Sequence, residues 1–490
     1  MHTDLVAQSG VATQRRRSIL SVLPVLATIV ATGSLLLATS SQAARFVYGA
    51  VLTEAQEVPP TGSAAFGSAQ FVIDTDANTV TYRLAYGGLS AAETASHIHG
   101  PADPGTNAGV KTALPAGNVK TGVWNYAEAD EGDILAGKMY CNVHSGNFPG
   151  GEIRGQIVPL NAQIDGAQEN PPVPTTASGF AVFSIDRATN TLSYYISYAG
   201  LSSAETAAHI HGTALPGTNA GVLVALPAGN PKVGTFNYPE NMEVPLLEGQ
   251  TYVNIHTSNF PGGEIRGQIV PIVIPIDNQQ EVPPTGSVAT GVGLICYDSS
   301  TDNLGFDFRV AGLSANETAA HIHGFAAPGQ NAGVLVALPA GNRKIGVWNY
   351  GAANEADVFA GLTYFNIHTS NFPGGEIRGQ IQGFPQVLPS AVDGSELPLS
   401  IHLAPNAPNP FVQQTTIAYS LDHAMPVQLA IYDTQGRKVR TLLNGTAEAG
   451  NHAVAWDGRD EQGRPAASGI YRYVLQTDEG KLQRPLTLIR

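Results

Sequence analysis

The sequence has few charged side chains. Only 13% of its 490 residues are Asp, Glu, Lys or Arg, and acidic residues outnumber basic ones by 39 to 25. It contains no stretch that combines basic with aromatic residues, which argues against a nucleic-acid surface. It also contains no glycine-rich phosphate loop before a helix and no nucleophile elbow. These absences leave little support for nucleic-acid binding, nucleotide binding or serine-based hydrolysis.

Glycine and proline, by contrast, are abundant, with 54 and 33 residues. A composition so rich in turn formers favours short strands over helices. Phe71 and Ile73 precede the turn at 74–78, and Tyr82 and Leu84 alternate with polar residues beyond it, which predicts a hairpin. The same pattern continues for about 110 residues and predicts seven or eight strands, typical of a β-sandwich or a flattened barrel.

The first 43 residues have the pattern of an export signal. Three arginines at 15–17 precede an apolar stretch at 19–38, and small residues follow at 41–44. We expect cleavage near Ala43 or Ala44, which would place the protein in the medium or on the outer surface of a bacterium. The alternative is an uncleaved anchor, because the apolar stretch approaches the length of a membrane span.

An internal repeat of 112 residues organises the chain that follows. The copies cover residues 44–158, 159–270 and 271–382, and they align without insertion or deletion. A unit of this length is a whole domain, and the joints are too short for flexible tethers, so we expect three domains in close succession. Residues 383–408 are predicted to form a linker, and residues 409–490 another small β-domain.

The repeat also helps to interpret the two cysteines. Cys141 stands where the other copies have Val253 and Phe365, and Cys296 stands where the first copy has Val72. Each cysteine is therefore a single replacement at a mostly apolar position. We expect two buried thiols rather than a disulfide.

Nine of the 13 histidines form three copies of one pattern, a His-x-His pair and a third histidine 45 residues later. They are His97, His99, His144, His209, His211, His256, His321, His323 and His368. On a strand, the two rings of each pair would project to the same face, where they could bind one metal ion. A third histidine from a distant strand could complete a site that suits Zn²⁺ or Cu²⁺.

Three interpretations of this pattern stay open. The histidines are metal ligands, or they pin a strained loop by hydrogen bonds to carbonyl groups, or they take part in catalysis. The three copies keep the histidine block and its turn-forming glycines, whereas their early strands have drifted. Something therefore holds these positions, but retention alone does not distinguish a ligand from a structural residue.

Several charged residues lie close to the histidines in sequence. Glu93, four residues before His97, could accept a hydrogen bond from a metal-binding imidazole ring and so orient that ring. Glu152 and Arg154 are two residues apart and share a strand face, so we expect a surface ion pair of little energetic value. Glu57 is expected to cap a turn or to pair with Arg154.

The repeat unit resembles the CHRD domain, named after chordin and also found in secreted bacterial proteins. The resemblance rests on the segments ETASHIHGPADPGTNAGV, ALPAGN and YCNVHSGNFPGGEIRGQI and their counterparts, and it covers residues 46–382. It implies an extracellular, immunoglobulin-like β-fold and brings no established enzymatic activity. The His-x-His pair also resembles that of copper–zinc superoxide dismutase, although a fourth copper histidine and an Asp-bearing zinc subsite are missing.

The C-terminal segment resembles the immunoglobulin-like domain of flagellar hook-capping proteins and is similar to the sorting domain of type IX secretion. The residues that carry this resemblance are Asn409-Pro410-Phe411, IYDTQGRKVRTL, AWDGRDEQGRP and SGIYRYVL. The resemblance implies a role in export or surface attachment, with the export machinery as a partner.

We therefore predict an all-β protein with three tandem immunoglobulin-like or superoxide-dismutase-like β-sandwiches and a smaller β-sandwich after them. The expected function is non-enzymatic extracellular binding or scaffolding toward a protein or glycan, with no catalytic residue and no certain cofactor. The alternatives are an extracellular copper- or zinc-binding protein that uses the nine histidines, and a redox enzyme resembling superoxide dismutase. We expect neither nucleic acid as a partner nor a stable membrane span after cleavage.

Overall fold

The computed structural model confirms an all-β fold. It describes residues 45–187, 189–384, 402–403, 406, 411–421, 424–447, 450–478 and 480–489. The expected signal peptide and nearly all of the expected linker lie outside these ranges. Within them, no helix is long and apolar enough to cross a membrane.

The first repeat contains eight strands and one short helix. They are β1 (Arg45–Thr53), β2 (Phe66–Asp74), β3 (Thr79–Gly87), β4 (Glu93–His99), β5 (Val110–Ala113), β6 (Val119–Asn125), α1 (Glu131–Leu135), β7 (Met139–Ser145) and β8 (Ile153–Ile157). The strands pair in the order β5-β4-β7-β8-β1-β2-β3-β6, and every pairing is antiparallel.

The second and third repeats have the same elements and the same strand order. In the second they are β9 (Leu160–Asp165), β10 (Ser178–Asp186), β11 (Thr191–Ala199), β12 (Glu205–Gly212), β13 (Val222–Ala225), β14 (Lys232–Asn237), α2 (Glu243–Leu247), β15 (Thr251–Thr257) and β16 (Ile265–Ile269). In the third they are β17 (Ile272–Asp277), β18 (Thr290–Asp298), β19 (Asn303–Ala311), β20 (Glu317–Gly324), β21 (Val334–Ala337), β22 (Arg343–Asn349), α3 (Glu355–Phe359), β23 (Thr363–Thr369) and β24 (Ile377–Ile381). Short 3-10 turns lie at Glu54–Gln56, Glu128–Asp130, Gly166–Gln168, Glu240–Met242, Asn278–Gln280 and Ala352–Asn354.

Each sheet curls around its own apolar core. The core is formed by alternate side chains along the strands, which point inward. In the first repeat the curled sheet is held by the fully buried Lys120 on β6, whose Nζ lies 2.5 Å from Oε1 of Glu93 on β4. Cys141 and Cys296 are both buried and free, as the sequence predicts. The result is a barrel-like sheet with its apolar side chains enclosed.

The three repeats close into a ring. The sequence predicts close succession, but it does not predict that the third repeat packs back on the first. Each junction is made by the residue that follows the last strand of one repeat and a residue of the second strand of another. Between repeats one and two, and between two and three, the two residues belong to one apolar cluster. Between repeats three and one, the equivalent two residues are hydrogen-bonded. The pairs are Val158 with Val182, Val270 with Leu294, and Gln382 with Gln70.

Three equivalent residues, one from each repeat, meet at the centre of the ring. Gly49, Asn161 and Val273 are equivalent residues of the three first strands, spaced 112 residues apart. Nδ2 of Asn161 donates to the carbonyl of Gly49 at 3.2 Å, and a Cβ added to Gly49 would lie 2.6 Å from Cγ2 of Val273. The approach is so close that a glycine is required there. The repeats are therefore related by an approximate threefold axis.

The C-terminal domain is a smaller β-sandwich, also as predicted. Its strands are β25 (His402–Leu403), β26 (Thr415–Leu421), β27 (Met425–Asp433), β28 (Lys438–Ala447), β29 (Gly450–Trp456), β30 (Gly469–Gln476) and β31 (Lys481–Leu488). They form two sheets, with the orders β25-β26-β29 and β28-β27-β30-β31. A single core that includes Phe411, Trp456 and Tyr473 lies between the two sheets.

Candidate metal centre

Two neighbouring strands bring the predicted histidines together. On β4, His97 and His99 point away from the core, while Ile98 between them is fully buried in it. Strand β7 pairs beside β4 so that His144 lies opposite Ala95, one step of the alternation from His97. The strands therefore place all three rings on the outer face of one sheet.

The ring nitrogens converge in every repeat. Nδ1 of His97 lies 3.2 Å from Nε2 of His144, and the equivalent distances in the other repeats are 3.1 and 3.2 Å. One nitrogen from each of the three rings can be chosen so that all lie within 4.8 Å of one another. The clusters are His97, His99 and His144; His209, His211 and His256; and His321, His323 and His368.

Two backbone carbonyls orient the rings. Nδ1 of His99 lies 3.0 Å from the carbonyl of Ala108, and Nδ1 of His144 lies 2.9 Å from that of Pro149. A carbonyl only accepts, so Nδ1 carries the proton in both rings and Nε2 presents a lone pair to the cluster. With its own proton on Nε2, His97 adds a third lone pair through Nδ1.

The donor set fits a transition metal. Nε2 of His99 is buried and has no hydrogen-bond partner, and the same holds for His211 and His323. Burial, and secondarily the neighbouring His144, lower the pKa of His97, and burial lowers that of His99. This favours the neutral form of His97 and His99, which metal ligation requires. Three neutral imidazoles with an unpartnered buried nitrogen match Zn²⁺ or Cu²⁺.

A stack of planar groups supports His99 from behind. The Tyr140 ring lies parallel to the imidazole at 4.9 Å, and the guanidinium carbon of Arg154 lies 3.5 Å from the centre of the Tyr140 ring. Arg154 is buried, and it donates to the carbonyl of Thr106 at 2.8 Å. The stack therefore fixes both the ring and the loop that carries Ala108.

The predicted surface ion pair between Glu152 and Arg154 is wrong. Glu152 is fully buried and accepts hydrogen bonds from Oγ of Ser63 at 2.6 Å and from the backbone N–H of Ser90 at 2.7 Å. Burial alone would raise the pKa of Glu152, but these and other hydroxyl and amide donors hold it below its usual value. Strand β8 begins only at Ile153, so strand alternation does not extend to Glu152, and the two side chains have separate partners.

The suggested role of Glu93 behind a metal-bound ring is also wrong. Its carboxylate accepts from Nζ of Lys120 at 2.5 Å and from the hydroxyl of Tyr86 at 2.7 Å. These contacts close the curled sheet, and none of them involves a histidine. Strand spacing predicts Glu93 on the outer face with His97, but a β-bulge between Glu93 and Ala95 places it opposite the buried Ser145, and the sequence shows neither the bulge nor the basic partner on β6.

Glu57 lies behind the histidines rather than at the surface. Its backbone N–H closes the 3-10 turn that follows β1, which agrees with a turn-capping role. Its side chain is buried beside Asn142, and burial raises its pKa to about 7 even though Asn142 and Arg154 favour the ionised form. Asn142 and Tyr140 are the supporting residues that the sequence analysis did not assign; their alternation with His144 on one strand is the signal for them.

The comparison with protein families agrees with this geometry. The model of the CHRD domain matches residues 48–157, 160–269 and 273–381. The chain belongs to the CHRD domain family. A second family model, the FlgD Ig-like domain, matches residues 409–481.

Two curated relatives are chordins. The Xenopus laevis protein is 28% identical over 248 residues, which is 45% of this chain and 26% of the relative. The Danio rerio protein is 34% identical over 161 residues, which is 28% of this chain and 17% of the relative. This CHRD protein thus matches about a quarter or less of the length of these relatives.

Among solved structures, FLGD from P. aeruginosa is 26% identical, covers 15% of this chain and 58% of its own, and has a TM-score of 0.13. Dimeric latent PorU from Porphyromonas gingivalis is 11% identical, covers 68% of this chain and 34% of its own, and has a TM-score of 0.16. These TM-scores are too low to bear on the fold.

Proposed function

We propose that this CHRD protein is a secreted or surface-attached, non-enzymatic binding protein in which each repeat holds one Zn²⁺ or Cu²⁺ ion. The supporting observation is the convergence of three imidazole nitrogens in every repeat, with Nε2 of His99 and its two counterparts buried and unpartnered. An unpartnered buried acceptor is destabilising unless something fills it. A metal ion satisfies all three nitrogens at once.

The purely structural interpretation accounts for less of the geometry. It requires hydrogen bonds from the histidines to loop carbonyls, and His99 and His144 do make them. Both bonds, however, use the nitrogen that faces away from the cluster. This is the arrangement by which proteins orient metal-ligating imidazoles, so the carbonyl contacts support ligation as well.

The distances suit one ion per cluster. Metal–nitrogen bonds of about 2 Å place tetrahedral ligand nitrogens about 3–4 Å apart. The 3.2 Å between His97 and His144 lies in this range. All three nitrogens lie within 4.8 Å of one another, at most about 1 Å beyond this range. His97 would ligate through Nδ1, and His99 and His144 through Nε2.

Metal analysis of the purified protein tests this proposal. After loading with Zn²⁺ or Cu²⁺ and removal of the excess, we expect three ions per chain, and two when His97 and His99 are both changed to alanine. His452, which stacks on Tyr419 in the C-terminal domain, provides the control, because His452→Ala should leave the count at three. Wild-type protein that retains well under one ion per repeat would refute the proposal.

We also propose that residues 409–490 serve export or surface attachment, and that the repeats bind an extracellular protein or glycan. The match to the FlgD Ig-like domain over 409–481 supports a separate role for this domain. A chain that ends at Gln382 is expected to stay in the periplasm, while the full chain reaches the surface. Normal surface delivery of the shortened chain would exclude a sorting role.

A further inference from the structure

The three ligands of each cluster approach from one side. His97 and His99 on β4 and His144 on β7 all rise from the same face of one sheet. A tetrahedral ion bound by three ligands from below has its fourth position directed away from the strands. His99 is buried, but His97 and His144 are half-exposed, so this outer side is the solvent side.

Among the described residues, no further histidine, cysteine or carboxylate joins a cluster. Each cluster of histidine, cysteine or carboxylate donors contains its three histidines and nothing else. A β-bulge places Glu93 opposite Ser145, off the face of His97, where Lys120 holds it, and Glu57 lies behind the cluster beside Asn142. With three histidines as its only ligands of these types, a tetrahedral ion would keep one further coordination position.

The charge of such a centre favours an anion. Three neutral imidazoles leave the two positive charges of the ion uncompensated, and no carboxylate is among the ligands. A bound divalent metal is the dominant local charge of its site, and it favours hydroxide or another anion over neutral water.

We propose that each metal centre is open at its outer position and there exchanges a bound water for a small anion such as hydroxide, azide or a carboxylate. This rests on the proposed metal binding. The exchange is a ligand substitution in which the anion enters, the water leaves, and the oxidation state of the metal stays the same. The centre is thus an accessible anion-binding site, and its metal is not a closed structural clamp.

Azide titration of the Cu²⁺-loaded full-length protein tests the proposal. We expect a saturable azide-to-copper charge-transfer band and a change in the EPR spectrum, with one azide bound per copper. The copper content is measured on the same samples. Loss of copper would refute metal binding itself, whereas retained copper without an azide band would refute the open position.

A variant that fills the position sharpens the test. Ala95, Ala207 and Ala319 lie opposite the third histidine of each cluster. Opposed side chains have Cβ atoms about 5 Å apart, so a histidine there can reach the ion. Ala95→His, Ala207→His and Ala319→His together should keep the copper and abolish the azide band.

The matched control changes the preceding residues, Thr94, Thr206 and Thr318, to histidine. These are exposed bulge residues with no partner on the neighbouring strand, so a histidine there is not held opposite the third histidine and the azide band should persist. A full azide band in the copper-loaded alanine-to-histidine variant would show that azide binds elsewhere, and it would overturn the proposal. If that variant does not fold, as judged by circular dichroism, the wild-type titration decides the question.

Discussion

Arg83 of the first repeat and Asp277 of the third form an ion pair, with Nε of Arg83 2.8 Å from Oδ2 of Asp277. The aspartate side chain is fully buried, and the arginine is one-quarter exposed. The pair joins residues 194 positions apart in sequence, and it lies where the ring of repeats closes. At the junction of the second and third repeats, Arg309 and Arg343 bind Asp165 in the same region of the repeat.

Replacing Arg83 should weaken ring closure. Arg83→Met would leave the Asp277 carboxylate buried without its cation, although Gln280 still donates to it. We expect a loss of about 1–3 kcal/mol in the free energy of unfolding, less than for a fully buried pair because Arg83 is partly solvated. Urea denaturation measures the loss. Arg45→Met breaks the exposed pair with Asp74 and should cost under about 0.5 kcal/mol, and equal losses would contradict a special role for the closure.

Gly151 should tolerate no side chain. Its φ is +127°, and a Cβ there would lie 2.7 Å from Nδ2 of Asn142 and closer still to Oε1 of Glu57. We expect Gly151→Ala to destabilise the protein by about 1–3 kcal/mol, through backbone strain and overpacking.

Gly150 is the matched control, because a Cβ at that position meets nothing within 4 Å. Gly150→Ala should change the free energy of unfolding by under about 0.5 kcal/mol. Thermal melting of the two variants gives the comparison, and similar melting temperatures would show that the space beside Glu57 and Asn142 is not restrictive.

The buried Glu57 should make stability depend on pH. Its pKa is raised from 4.5 to about 7 by burial, so the folded protein keeps a proton that the unfolded chain releases. The stabilisation is complete below the unfolded pKa and is lost as pH rises through about 7. Glu57→Gln keeps a neutral side chain, so the stability of this variant relative to wild type should increase with pH. Urea denaturation of the metal-free proteins at about pH 5 and about pH 8 tests this, and a gap independent of pH would contradict it.

Metal release should begin only in acid. Burial lowers the pKa of His97 and His99, so protons compete with the metal less than they do for exposed histidines. Zn²⁺ release, followed by a fluorescent indicator during acidification, should have its midpoint below that of a synthetic peptide spanning residues 93–100. Coincident midpoints would show that the folded site gives its histidines no protection from protons.

Strand alternation accounts for the parts of the site that the sequence predicted. A period of two places His97 and His99 on one face, and a third histidine retained in all copies indicated His144 as their partner. Alternating strands and frequent turns predicted a β-sandwich or flattened barrel, and the equivalence of Cys141 to Val253 and Phe365 predicted its burial. These are local rules, and they hold wherever a strand has one face toward a core.

The parts that were missed depend on contacts between distant segments. Alternation predicted that Glu152 and Arg154 share a face, but it cannot show that β8 begins only at Ile153 or that both side chains are buried with other partners. No local sequence pattern predicts ring closure, because the equivalent residues Gly49, Asn161 and Val273 have no side-chain chemistry in common. Only the packed structure shows that they meet at one axis.

A closed ring has a geometric consequence for the chain that runs through it. A Cβ added to Gly383, just beyond the last repeat, would lie 2.8 Å from Cγ1 of Val47, near the start of the first. The polypeptide therefore enters and leaves the three repeats at neighbouring points. As a result, about 340 residues are inserted between two points of the chain that lie next to each other, residues 47 and 383. Joining residues 47 and 383 by a short linker and opening the chain at another exposed turn should preserve the fold.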